Sequence, residues 1–160
     1  MRTLESFIEE YRESHQHPTN ILIHKICVPA IMFSVLGIVK AFPVPAAWPL
    51  WLDWASVVVF FAMIFYISLK NMRVVIAVAL MIFPMLLLLE WLRPRFFLLS
   101  LAIFIVAWIG QFIGHKIEGK KPSFFKDLLF LLIGPIWTVS SFGTPLGIDL
   151  KISKVSSPKA

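Results

Sequence analysis

From Val74 to Leu89 no side chain is polar, and this run is one of four or five similar ones separated by short polar turns. Inside a bilayer a backbone has no water to bond with, so such runs fold as helices that satisfy their own N–H and C=O groups. Charged residues make up only 15% of the 160 residues and the mean hydropathy is +0.84, too little polar side chain to cover a soluble domain. The expected fold is all-α: an integral membrane helical bundle of about four to five transmembrane helices plus an N-terminal amphipathic helix. One domain is expected over 1–145, followed by a flexible polar tail over 146–160.

The segments follow from periodicity and punctuation. Over 3–14, Leu4, Phe7, Ile8 and Tyr11 recur at helical spacing opposite Glu5, Glu9, Glu10 and Glu13, which predicts an amphipathic helix lying on the membrane surface or against the bundle. Pro18 suits the first turn of a new helix, where its missing N–H costs nothing. The apolar stretch 26–39 reaches spanning length only if 21–23 belong to the same helix. The segment AFPVPAAWPLW (41–51) reads as an interfacial loop. Spans are expected over 55–69, 74–91 (kinked at Pro84) and 96–113, with turns at 70–73 and 93–95. A polar loop, GHKIEGKKPS, is expected over 114–123, and a fifth segment over 124–142 that either spans or re-enters. The N-terminal stretch lacks the apolar core of a cleavable signal, so the first span is expected to act as its own insertion signal.

The formal charge of +6 is spread over loops without a basic patch, so nucleic acid is excluded as a partner and membrane lipids are expected. If all five segments span, Arg2, Arg12, Lys25, Lys70, Arg73, Lys116, Lys120, Lys121 and Lys126 share one side. Lys40, Arg93, Arg95 and the tail lysines take the other. That bias puts the N-terminus in the cytoplasm. The single Cys27 rules out an intramolecular disulfide and any multi-cysteine metal site.

Histidine is the informative residue. His15, His17 and His24 precede the first full span and His115 follows the fourth, so an even number of crossings returns them to one membrane face. Asn20 and His24 are one helical turn apart, and so are Gln111 and His115, with Glu118 a further turn on. A polar neighbour beneath an imidazole can orient it as a ligand. Three or four histidines with an optional carboxylate suit Fe(II), Zn(II), Mn(II) or Cu(II), and spacing does not choose among them. The same histidines could instead cap helices at the interface. Tyr11 is either a donor to the site or core, and Lys116, Lys120 and Lys121 form a rim suited to topology or to an anionic head group. Glu90 is expected to pair with Arg93 or Arg95.

The stretches YRESHQHPTNILIHKICVP (11–29), with its Tyr-x3-His-x4-Asn-x3-His spacing, and QFIGHKIEGKKPSFFKDLLFLLIGPIW (111–137) resemble the small membrane-bound 2-hydroxy fatty acid dioxygenases. They cover about a third of the chain. The resemblance implies an Fe(II)-dependent enzyme of fatty acid α-oxidation that takes a 2-hydroxy long-chain acid and O₂ and leaves an acid one carbon shorter. By position it implies His15, His24 and His115 as iron ligands and catalytic residues. Glu118 is a further catalytic candidate. Asn20 and Gln111 match polar positions of the family and, with Tyr11, Lys116 and Lys120, are expected beside the metal or the substrate. His17 matches no fixed histidine and ranks below the other three as a ligand. A bacterial inner membrane is favoured over the endoplasmic reticulum, with the histidines facing the cytoplasm, and a homo-oligomer is compatible with the sequence. Two alternatives stand beside this: a non-enzymatic membrane protein with a structural metal or haem, and a zinc-dependent lipid hydrolase.

Overall fold

The structure, a computed structural model, describes residues 2–49, 52–92, 96–125 and 127–143. The expected turn at Arg93-Pro94-Arg95, Lys126 and the tail over 146–160 lie outside the described residues. Among those described, there are six α-helices, one 3₁₀ turn and no strand: α1 (Leu4–Glu13), α2 (Pro18–Lys40), α3 (Trp54–Ser68), α4 (Met72–Trp91), α5 (Phe96–Glu118) and α6 (Phe130–Gly143). The fold is all-α, and α2, α4 and α5 are long and apolar enough to cross a membrane. At about 1.5 Å per residue, the shorter α3 and α6 fall below the roughly 30 Å of a hydrocarbon core.

The chain falls into two compact units, one of Met1–Pro29 with Ala107–Ala160 and one of Ala30–Val106; the divisions fall inside α2 and α5. In the first unit, Thr3 caps α1 by accepting the Ser6 N–H, and Leu4, Phe7, Ile8 and Tyr11 are buried. That apolar face packs on α6, with the Phe7 ring edge-on to Phe130 at 5.8 Å and Tyr11 at 5.8 Å from Trp137. Of the two places open to an amphipathic α1, the described contacts therefore show the packed one. Arg2, just before α1, pairs with Glu10 of that helix and with Asp127 ahead of α6.

Two boundaries differ from expectation. The residues 114–118, read as loop, continue α5 to Glu118, and the chain leaves the helix at Gly119, whose φ of 72° is the left-handed conformation that glycine adopts without strain. The fifth segment begins as a 3₁₀ turn at Ser123–Phe125 and becomes α-helical only from Phe130.

In the second unit, Asp53 caps α3 by accepting the Ser56 N–H, and the Lys40 ammonium at the end of α2 pairs with both Asp53 and Glu90. Burial alone would raise the Asp53 carboxyl, but the bonds from Lys40 and Ser56 prevail and hold it below the usual range. Glu90 thus pairs across helices; the arginines expected as its partners are outside the described residues. The Lys40 side chain is 8% exposed and the Glu90 side chain 49% exposed, so removing the ammonium leaves two partly hydrated carboxylates facing each other. Lys40→Met is expected to destabilise the protein by on the order of 1 kcal/mol, read as a lower thermal midpoint in detergent, with Asp53→Asn in the same chain recovering part of the loss.

Candidate metal centre

The end of α1, the start of α2 and the end of α5 converge. His15 follows the last turn of α1, His24 lies in the second turn of α2, and His115 in the last turn of α5. Their rings stand edge to face, His15 to His24 at 4.3 Å, His15 to His115 at 5.1 Å and His24 to His115 at 4.7 Å. All three are at most 5% exposed. Among the described residues, they form the one cluster in which a nitrogen of each lies within 4.8 Å of the others.

Backbone carbonyls set the tautomers. The His15 Nδ1–H donates to the Tyr11 carbonyl at 2.6 Å, and the His24 Nδ1–H to the Asn20 carbonyl at 2.9 Å. In both cases the acceptor is four residues earlier. For His15 it is a carbonyl in the last turn of α1, which also accepts the Ser14 N–H and hydroxyl. With Nδ1 committed as a donor, Nε2 of each ring keeps its lone pair, as metal ligation requires. The expected neighbours, Tyr11 and Asn20, do orient the imidazoles, but through their main chain and not their side chains.

The Nε2 atoms of His24 and His115 are 3.1 Å apart. At that distance a proton on the His115 Nε2 satisfies the His24 lone pair, or, with both lone pairs free, a metal ion does. Ligands about 2.1 Å from one ion at tetrahedral or octahedral angles lie about 3.0–3.4 Å apart, so the pair fits a metal. Two further buried ring nitrogens, His15 Nε2 and His115 Nδ1, have no hydrogen-bond partner. A buried imidazole nitrogen left unpaired is costly, and a metal ion would relieve the one on His15.

The other predicted residues occupy distinct places. Tyr11 stacks on the His15 ring, with centroids 4.0 Å apart and planes within 8°, and burial pushes its phenol pKa up. Gln111 is buried one turn before His115 and lies beside the His24 ring. The Asn20 side chain donates to the Ser14 carbonyl and to Glu118, while its oxygen faces Gly114, where a Cβ would come within 2.3 Å. Glu118 accepts the Gln16 N–H at 2.9 Å and the His17 N–H at 2.8 Å and lies outside the histidine cluster. His17 is exposed and also outside it: its carbonyl accepts the Ile21 N–H and its ring Nδ1 the Thr19 N–H, so it caps α2. Lys120 donates to the Glu13 carbonyl, and Lys116 is exposed.

Sequence reasoning missed Trp137 and Ser123. The Trp137 ring lies 5.4 Å from His15, and the Ser123 hydroxyl bonds that of Ser14 at 2.7 Å beside the same histidine. Trp137 reads in the sequence as one more aromatic of an apolar segment. Nothing local distinguishes it.

An all-helical protein with apolar helices of membrane-crossing length and three buried, converging imidazoles is the class that this fold and site define. Residues 1–144 match the family described as 2-hydroxy-palmitic acid dioxygenase Mpo1-like, and the chain belongs to that family. It is 30% identical over 149 residues to the 2-hydroxy-palmitic acid dioxygenase MPO1 of Saccharomyces cerevisiae (strain ATCC 204508 / S288c), over 90% of this chain and 82% of that relative. No solved structure matches the chain.

Two measurements test the geometry. Burial, and then the nearby His24, push the His15 pKa down to about 2 despite the favourable bond to the Tyr11 carbonyl. The folded state keeps this imidazole neutral while the unfolded chain protonates near 6.5, so its contribution is complete above that pH and is lost as pH falls toward 2. The thermal midpoint of metal-free protein is expected to be flat above about pH 7 and to fall below about pH 6.5, and His15→Phe should weaken that dependence. Gly114→Ala places a methyl group against the Asn20 oxygen and is expected to cost about 1–3 kcal/mol. Combined with Asn20→Ala, the loss should be smaller than the sum of the two single losses, as thermal unfolding of all three variants would show.

Proposed function

We propose that this chain is an Fe(II)-dependent dioxygenase that shortens 2-hydroxy long-chain fatty acids by one carbon, with iron held by His15, His24 and His115. The observation that carries the reading is the convergence of three buried neutral imidazoles in a chain related to a 2-hydroxy-palmitic acid dioxygenase. Bound Fe(II) would supply a site for O₂ and for chelation by the carboxylate and 2-hydroxyl of the acid, a pair of donors that an unsubstituted fatty acid lacks.

The overall reaction balances with O₂ alone. Converting RCH(OH)COOH and O₂ to RCOOH, CO₂ and water takes C2 from alcohol to acid and C1 to carbon dioxide. The four electrons released reduce one O₂ completely, so no external reductant is required. The chain's own residues prepare for this in three ways. The carbonyls of Tyr11 and Asn20 hold two imidazoles in the ligating tautomer. Tyr11 and Trp137 cover His15 and keep bulk water away. Lys116, exposed next to His115, offers positive charge at the rim for an incoming carboxylate. The alkyl tail of the substrate would lie along the apolar helices, within a single membrane domain over 1–145. A bacterial inner membrane, a cytoplasmic site and a homo-oligomeric assembly complete the reading.

The test is turnover of 2-hydroxypalmitate by purified protein loaded with Fe(II) or Zn(II), in air and without oxygen. Pentadecanoic acid carrying label from ¹⁸O₂, formed only with Fe(II) in air, is expected. Product formed without oxygen, or with Zn(II) alone, would point to a hydrolase and overturn the reading; bound metal without turnover would point to a structural centre. His15→Ala, His24→Ala and His115→Ala are each expected to lower turnover about a hundredfold or more and to reduce metal content. His17→Ala should stay within about threefold of the parent protein.

A further inference from the structure

The carboxylate of Glu118 lies in the last turn of α5, one turn beyond His115, and its hydrogen-bonding capacity is nearly exhausted. Oε1 accepts the Gln16 N–H at 2.9 Å, and Oε2 accepts both the His17 N–H at 2.8 Å and the Asn20 side-chain N–H at 3.0 Å. Gln16 and His17 belong to the connection between α1 and α2, and Asn20 to the first turn of α2. Gln16 directly follows the ligand candidate His15. Asn20 supplies from its own main chain the carbonyl that orients His24. One side chain of α5 therefore grips the chain immediately after the first histidine and the residue that aims the second.

We infer that Glu118 is a positioning residue, not a metal ligand: it straps the His15–Asn20 connection to the end of α5 and so fixes His15 and His24 in register with His115. The inference rests on the proposed metal centre and adds a role for a carboxylate that does not join it. A carboxylate has about four acceptor sites, and three donors at 2.8–3.0 Å leave little capacity for an ion. The bonds are charge-assisted, and a negative group at the start of α2 is favoured by the helix dipole. Other fastenings between the same segments, such as Lys120 on the Glu13 carbonyl and Ser123 on Ser14, hold the end of α1 but leave Gln16, His17 and Asn20 untouched.

The distinguishing experiment titrates Co(II) into the full-length parent protein and into Glu118→Gln, following visible absorption. The amide keeps the size of the side chain, but loses one acceptor oxygen and sets an NH₂ against the donors. The expected result is a Kd for Co(II) raised about tenfold or more, with the same absorption spectrum at saturation, because the three imidazoles still form the ligand field. A saturated spectrum that differs in position or intensity would make Glu118 a ligand, and a Kd within twofold would leave it no positioning role; either overturns the inference. If Glu118→Gln does not fold, amide exchange in the parent protein decides. The Gln16 and His17 N–H groups, on exposed residues, should exchange at least about tenfold more slowly than in unstructured chain, and exchange at the unstructured rate would refute the strap. Failure of the parent protein to bind Co(II) would refute the metal centre, while the exchange measurement would still report on the strap.

Discussion

Two hydrogen bonds from imidazole to main chain determine what this site can be. A histidine ring with both nitrogens undetermined is an ambiguous ligand; one whose Nδ1–H is held by a carbonyl has its Nε2 lone pair directed elsewhere. His15 and His24 are both in that state, and both use the carbonyl four residues earlier. The Tyr-x3-His and Asn-x3-His spacings are thereby given a physical meaning that does not depend on the side chains of Tyr11 and Asn20. Those side chains are free for other work. Tyr11 stacks on the ring that its own carbonyl holds, and Asn20 reaches Ser14 and Glu118.

The packing around the histidines follows from where the helices end. Helix termini are where carbonyls and N–H groups lack partners, and here three termini meet. Carbonyls at the end of α1 take His15 and Lys120 as donors, and the start of α2 is capped by His17. The apolar face of α1 is spent on α6, so the helix acts as a cover over the cluster. A cluster of three imidazoles covered in this way is dry enough to push His15 far from protonation. The same dryness makes it a place where a divalent cation, once bound, is weakly screened.

Much of this was legible in the chain. The apolar runs predict the helices, Pro18 marks the start of α2, and the matching polar neighbours one turn from His24 and His115 single out two imidazoles whose Nε2 atoms lie 3.1 Å apart. The limits are equally specific. The polar letters of GHKIEG read as loop, although a helix end tolerates them; Gly119, followed by Lys120, Lys121 and Pro122, was the available signal for a stop at 118. His17, directly before a proline at a helix start, was legible as a cap. The pairing of Glu90 with Lys40 was not, because the two lie far apart in sequence with α3 between their helices and nothing local selects one cation over another. Trp137 was hidden for the same reason: only the folded chain brings α6 beside His15.

The neutrality of the cluster has a consequence for the ligand that completes it. Three neutral imidazoles leave the full charge of a divalent ion uncompensated, and among the described residues no carboxylate joins them. The nearest candidate, Glu118, has its oxygens turned to the N–H groups of Gln16, His17 and Asn20. In a dry site such an ion favours an anionic chelator over a neutral one, since Coulomb attraction is poorly screened there. On the proposed reading, a 2-hydroxy carboxylate supplies that missing negative charge and a second oxygen in one molecule. On the same reading the protein would withhold its own carboxylate from the metal, and binding of the ion and binding of the acid would reinforce each other. Selectivity for an acid over the corresponding ester or alcohol would thus come from the charge that the three histidines do not provide.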